Sequence, residues 1–197
     1  MNTSQKINIR FIVLLGFIVL AGCMRLLNSF SPNPVQNFTP LGAMALFGGC
    51  YLKESWKAYL MPLMTLWLTD IIINRFLIYG NWVFFYDGFL WVYGVFALIV
   101  LLGTLMLKKV NLLTVIGTGI TASLAHWLIT DFGVWLGGGT NPFTGLPYTK
   151  DLQGYWDCLV AALPFLKNFL LGTLGYSLVL FGGFEFAKRQ IPALAIQ

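Results

Sequence analysis

Apolar residues in this chain fall into long, nearly unbroken blocks separated by polar stretches rich in Gly, Pro, Asn and Lys. The blocks span about 11–27, 40–52, 58–79, 89–107, 112–130 and 161–186. A membrane-crossing helix needs about 20 apolar residues, and most of the blocks reach that length. The alternating ten-residue segments of a membrane barrel are absent. The pattern therefore predicts an all-α membrane protein, a six-transmembrane-helix bundle forming one unit over 1–197. The block 40–52 is the exception. As a helix it rises only about 20 Å, so it must thin the bilayer, extend into the preceding loop or turn back as a re-entrant segment. The longest polar segment, 131–157, reads as an external loop with turn signals at Gly137-Gly138-Gly139, Asn141-Pro142 and Gly145-Leu146-Pro147.

The stretch Asn37-Phe38-Thr39-Pro40-Leu41-Gly42-Ala43-Met44-Ala45-Leu46-Phe47-Gly48-Gly49 joins a polar turn to the short span without a charge. Proline fixes φ near the helical value and has no N–H to lose, so Pro40 suits the first turn of a helix capped by Thr39. Ala45 and Gly49 form a small-xxx-small pair, a spacing that lets helix backbones approach closely in a membrane. The pair predicts either a face for docking a partner or a contact inside the bundle.

Composition sharpens this picture. Of 197 residues, 58% are hydrophobic and 10% charged, with mean hydropathy +0.78, which excludes an ordinary soluble domain. The net charge of +5 does not point to nucleic acid, because the basic residues are dispersed to the ends of spans. With six spans, Lys6, Arg10, Lys53, Lys57, Lys108, Lys109, Lys188 and Arg189 share one side, against Arg25, Arg75, Lys150 and Lys167 on the other. The positive-inside rule then predicts a multi-pass membrane protein with both termini cytoplasmic. Cys23, Cys50 and Cys158 have neither metal-site spacing nor an even count. Leu20-Ala21-Gly22-Cys23 matches a lipoprotein cleavage pattern, which leaves lipidation at Cys23 as an alternative to an uncut first span.

Few residues are equipped for chemistry. Asp70 is an ionisable group inside a span, costly unless it faces protein, water or a partner. It shares one helix face with Trp67 and Asn74 at i, i+3, i+7 spacing, and Lys167 in the last span is a candidate partner. His126 is the single histidine and implies no metal site. A G-x-S-x-G elbow, a P-loop and H-E-x-x-H are absent, so neither an enzyme nor a cofactor is predicted. The polar and aromatic residues concentrate on the outer side. Asn37, Phe38, Thr39, Trp67, Asp70, Asn74, His126, Trp135, Lys167 and Asn168 are the candidate substrate-binding residues, with 131–157 as a lid. Low charge suits a mostly uncharged, ring-containing solute.

The Asn37–Gly49 stretch, Pro62 to Asp70, His126-Trp127-Leu128-Ile129-Thr130-Asp131-Phe132-Gly133-Val134-Trp135-Leu136, and Ala161-Ala162-Leu163-Pro164-Phe165-Leu166-Lys167-Asn168 with Leu180-Phe181-Gly182-Gly183 carry a resemblance. They resemble a family of small bacterial membrane proteins assigned to transport, a domain of unknown function related to the substrate-binding S components of energy-coupling-factor transporters. The family pattern has Thr-Asn where this chain has Thr130-Asp131, and Gly-Asp where it has Gly172-Thr173. The resemblance implies a six-helix subunit that captures a vitamin-like micronutrient at its outer face. It also implies docking on a transmembrane coupling subunit through Ala45 and Gly49, with separate ATPases supplying energy. Two other functions fit the residues alone: a solitary secondary transporter using Asp70, and a ligand-free membrane assembly protein.

Overall fold

Eleven uncharged residues that follow a polar turn form the helix on which the long helices pack. The computed structural model describes residues 9–32, 35–52 and 55–194; the predicted basic positions Lys6 and Lys53 lie outside them. The helices are α1 (Ile9–Ser29), α2 (Leu41–Tyr51), α3 (Ser55–Ile73, continued by a π-helical turn Asn74–Ile78), α4 (Phe89–Met106), α5 (Leu112–Leu136), α6 (Leu152–Ala161) and α7 (Leu163–Gln190). A 3-10 turn, Pro192–Leu194, follows. Among the described residues there is no strand, only an isolated bridge between Thr140 and Pro147.

The protein is all-α, and α1, α3 with its π turn, α4, α5 and α7 are each long and apolar enough to cross a membrane. Between 22% and 39% of each apolar window is buried inside the bundle, so most of that surface faces outward, as lipid requires. The short block became α2, apolar but only 11 residues long. Its run from Leu41 to Gly49 is wholly buried, and it packs against α1, α3, α4, α5 and α7. A central helix screened by its neighbours need not match the thickness of lipid.

Close approach of α2 to α4 depends on reciprocal glycines. A Cβ on Gly49 would lie 2.1 Å from the Val100 carbonyl oxygen, and one on Gly103 would lie 2.5 Å from that of Leu46. The Thr104 hydroxyl donates to the Gly49 carbonyl at 3.0 Å. Ala45 is 1% exposed. The expectation that Ala45 and Gly49 form a partner-docking face is therefore corrected: both are buried inside the bundle, where Gly49 brings α4 onto α2.

Two boundaries also differ from the pattern. Helix α5 continues to Leu136, and α6 occupies 152–161, so the predicted loop 131–157 shrinks to 137–151. The predicted last span, 161–186, corresponds to α7, which begins two residues later, after α6 ends at Ala161, and runs on to Gln190. Asp151 caps α6 by accepting from the Gly154 N–H at 2.8 Å, a local signal that starts a helix. Pro164, in the first turn of α7, starts a second one, since proline has no N–H to continue α6. At α2, Pro40 is itself the N-cap residue, and Thr39 Oγ1 accepts only a long bond of 3.4 Å from Leu41 N.

The two ends of the bundle differ in character. At one, Phe47 and Tyr51 pack edge-on to Phe184, and Glu185 accepts from the Tyr51 hydroxyl at 2.6 Å and from Lys188. Arg10, Lys57, Lys108, Lys109, Lys188 and Arg189 belong to helix ends or connections on this side. The ends of α1, α3 and α5 and the starts of α2, α4 and α7 meet at the other. Helix α1 runs unbroken through Leu20–Cys23, with Cys23 exposed.

Candidate functional site

At this second end the helices enclose a cavity of about 680 Å³ bounded by α1, α2, α3, α4, α5, α7 and the segment 35–39. Small-molecule sites run from about 300 to 1,000 Å³. The inner part is aromatic: the His126 ring stacks on Phe169 at 4.1 Å between centroids and 17° between planes, and Phe96 meets His126 edge-on at 5.5 Å. Thr130 also lines the cavity, but its hydroxyl donates to the His126 carbonyl one turn earlier.

Arg25 is the charged residue among those lining the cavity. Its Nη2 donates to Asp70 Oδ1 at 2.6 Å, and its Nη1 donates to Thr69 Oγ1 and to the Leu66 carbonyl at 3.4 Å. Asp70 Oδ2 accepts from the Tyr93 hydroxyl at 2.8 Å and from Tyr86 at 3.4 Å. Burial, then the adjacent Asp70 charge, holds the Tyr86 phenol well above the usual tyrosine range, so it stays a donor. This network satisfies every charge that the helices α1 and α3 bring into the bundle here, as burial demands.

Asp70 thus stands behind Arg25 rather than in the cavity wall, and the Asp70–Lys167 pairing is replaced by Asp70–Arg25. Lys167 is exposed, with no ion pair among the described residues. Of the other expected residues, Asn37, Phe38, Thr39 and His126 line the cavity. Asn74 is buried and donates to the Val83 carbonyl at 3.2 Å, tying the π turn to the connection that follows. Trp67 donates to the Phe84 carbonyl and lines a separate apolar groove of about 530 Å³ between α3 and α4. Trp135 packs on Phe132 and Tyr155 and donates to the Thr149 carbonyl at 2.7 Å. Neither tryptophan reaches the cavity.

Nor does the expected lid. The loop 137–151 is an ordered turn structure, in which Asn141 and Tyr148 N–H groups bond to Leu146 and Gly139 carbonyls, and Lys150 donates to the Trp135 and Leu136 carbonyls. A cation on the last carbonyls of a helix also complements its dipole. The segment that borders the cavity is 35–39. Asn28 Nδ2 donates to the Val35 and Phe38 carbonyls at 3.2 and 3.1 Å, and Asn168 Nδ2 to the Gln36 carbonyl at 2.9 Å. Gly172 admits the segment closely, since a Cβ there would lie 2.8 Å from Thr39 N and O. Asn37 adopts φ of 59°, a left-handed conformation that asparagine tolerates better than most residues.

Sequence reasoning missed Arg25, Tyr86 and Phe169. The signal for Arg25 was present: the first span carries a cation and the third the carboxylate Asp70 in the half nearer the same side, and such groups pair. Tyr86 and Phe169 had no local signal, because aromatics at span ends are common. No curated protein and no solved structure matches the chain. The model of a family of unknown function, DUF6580, matches residues 5–194, and the chain belongs to that family.

Proposed function

We propose that this protein is a substrate-binding membrane subunit for uptake of a small, vitamin-like micronutrient, held in the cavity between α1, α5 and α7. The observation that carries the reading is the cavity itself: an aromatic inner wall, a polar rim and one compensated charge, the composition of a site for a mostly uncharged, ring-containing solute. The resemblance to S components of energy-coupling-factor transporters supports it. In this reading six spans cross a bacterial inner membrane, with α2 as the short one and both termini cytoplasmic. Among the described residues six basic side chains fall at the Glu185 end and four at the cavity end, the bias expected if the cavity faces outward. A transmembrane coupling subunit with ATPases supplies the energy, docking on a surface other than Ala45 and Gly49.

Thermal unfolding of the purified protein in detergent across a panel of vitamins and their precursors tests this. A ligand of the folded state at 100 times its Kd adds about 2.7 kcal/mol. The expected result is a dose-dependent rise in Tm for one solute class, lost in Phe169→Ala. A cooperative melt indifferent to every solute would reject the reading in favour of a ligand-free assembly protein. The buried acid Asp70 favours one rival, a solitary secondary transporter, whose uptake would collapse with the proton gradient rather than with ATP depletion.

A further inference from the structure

The cavity's hydrogen-bonding groups narrow the solute further, on the assumption that the cavity is the binding site. A guanidinium carries five N–H donors in a fixed plane. Arg25 commits both Nη1 hydrogens, to the Leu66 carbonyl and Thr69 Oγ1, and one Nη2 hydrogen to Asp70. The Nε–H and the second Nη2–H have no partner among the described residues. Two free N–H groups of one guanidinium can converge on a single acceptor oxygen or, held parallel, take both oxygens of a carboxylate.

Charge decides what that acceptor is. Asp70 already compensates Arg25, and the remaining lining residues are uncharged. A carboxylate on the free edge would bring in a second negative charge with no second cation, at the depth of a membrane span, where an unpaired charge is costly. A carbonyl oxygen, with two lone pairs, also accepts from these N–H groups and leaves the site neutral. A cationic solute meets no free carboxylate on the lining.

A complementary acceptor sits one turn away. Asn28 uses both Nδ2 hydrogens on the Val35 and Phe38 carbonyls, which leaves its Oδ1 to accept from a ligand. Arg25 and Asn28 are i and i+3 on α1 and share a helix face, about 5–6 Å apart at Cβ. A donor edge beside an acceptor fits a carbonyl next to an N–H, and the His126–Phe169 stack offers a flat surface to a planar ring. We infer that the ligand is a neutral, planar nitrogen heterocycle carrying a lactam or carboxamide, its carbonyl on Arg25 and its N–H on Asn28.

Matched pairs that differ in charge test this on the full chain in detergent: uracil against orotate, and nicotinamide against nicotinate, read by thermal unfolding and by calorimetric titration. The expected result is that a neutral member of at least one pair raises Tm and binds at least tenfold more tightly than its carboxylate. Arg25→Lys, which keeps the charge opposite Asp70 but loses the fork, should weaken that binding at least tenfold. Equal or tighter binding of the carboxylates overturns the inference while leaving the cavity as the site. So does a Tm shift by a cationic vitamin such as thiamine, lost in Phe169→Ala, with all four matched compounds inert. Unchanged affinity in a folded Arg25→Lys variant overturns it as well; if that variant does not fold, the matched pairs alone decide. No shift with any solute, these four included, overturns both the inference and the binding-subunit reading.

Discussion

Replacing Gly49 by alanine tests whether the small residues of α2 pack the bundle together or await a partner. The added Cβ would stand 2.1 Å from the Val100 carbonyl oxygen and 3.1 Å from the Thr104 nitrogen, whereas ordinary van der Waals contact begins near 3.4 Å. Both neighbours are backbone of α4 and cannot swing aside as a side chain would. To relieve the overlap α2 and α4 must part by more than about 1 Å, which also stretches the 3.0 Å bond from Thr104 Oγ1 to the Gly49 carbonyl. Overpacking of this kind costs about 1–3 kcal/mol, and α2, hemmed in by five helices, should lie at the upper end. Gly175→Ala on α7 is the matched control, because nothing lies within 4 Å of a Cβ built there. Thermal unfolding in one detergent, followed by circular dichroism, should give a clearly lower Tm for Gly49→Ala and an unchanged or higher Tm for Gly175→Ala, since alanine favours helix over glycine. Equal Tm values for the two would refute the packing argument. If Gly49→Ala then failed to co-purify a membrane partner that the parent chain retains, the docking face would be restored.

Three further outcomes follow from the polar groups. Asp70→Asn leaves the Arg25 guanidinium buried without its counter-charge and should destabilise by about 3–5 kcal/mol, whereas Arg25→Met with Asp70→Leu should recover much of the loss; both are read from Tm. Tyr93→Phe should cost about 1.5–3 kcal/mol by removing a 2.8 Å bond to a carboxylate, and Tyr86→Phe, whose bond is 3.4 Å, distinctly less; a reversed order would refute the assignment of Tyr93 as the stronger donor. The Asp151 carboxyl is held below its ordinary value of 3.8 by the Gly154 N–H and the Thr149 hydroxyl. Its contribution is therefore present above that value and lost as pH falls through the lower, folded one. Amide exchange in α6 should be slower in the parent chain than in Asp151→Ala at pH 6, and the difference should shrink as the pH is lowered below 3.8.

What could be read from the sequence was whatever the bilayer imposes. Length and apolarity located five long helices because lipid leaves a spanning backbone no other way to satisfy its hydrogen bonds. The errors arose where local chemistry overrides the block pattern. Nothing in the apolar count separates α6 from α7, but Asp151 as a cap and Pro164 in a first turn do. Likewise the loop 131–157 lost its two ends to helices: residues 131–136 continue α5 until Lys150 closes its last carbonyls, and 152–157 begin α6. Polar density was a poor guide to the site for a related reason. Trp67, Trp135, Asn74 and Asn168 spend their polar atoms on backbone carbonyls of connecting segments, so they hold the frame. Asn37, Phe38, Thr39 and His126 reach the cavity because the turn before α2 and the late turns of α5 converge on α7.

The shortness of α2 links these observations. A helix of 11 residues reaches only about 17 Å, so when its Tyr51 end is fixed by Glu185 its other end stops below the outer ends of α1, α3 and α5. The space left above Leu41 is the cavity, and the segment 35–39 borders it because the chain must climb from α1 and descend again to start α2. A full-length second span would fill that volume with its own side chains. Arg25 and Asp70 meet beside the same space: α1 and α3 pack directly on each other there, and the two charges of opposite sign pair while Arg25 still lines the cavity. The short helix and the pocket are therefore one structural consequence of where α2 begins.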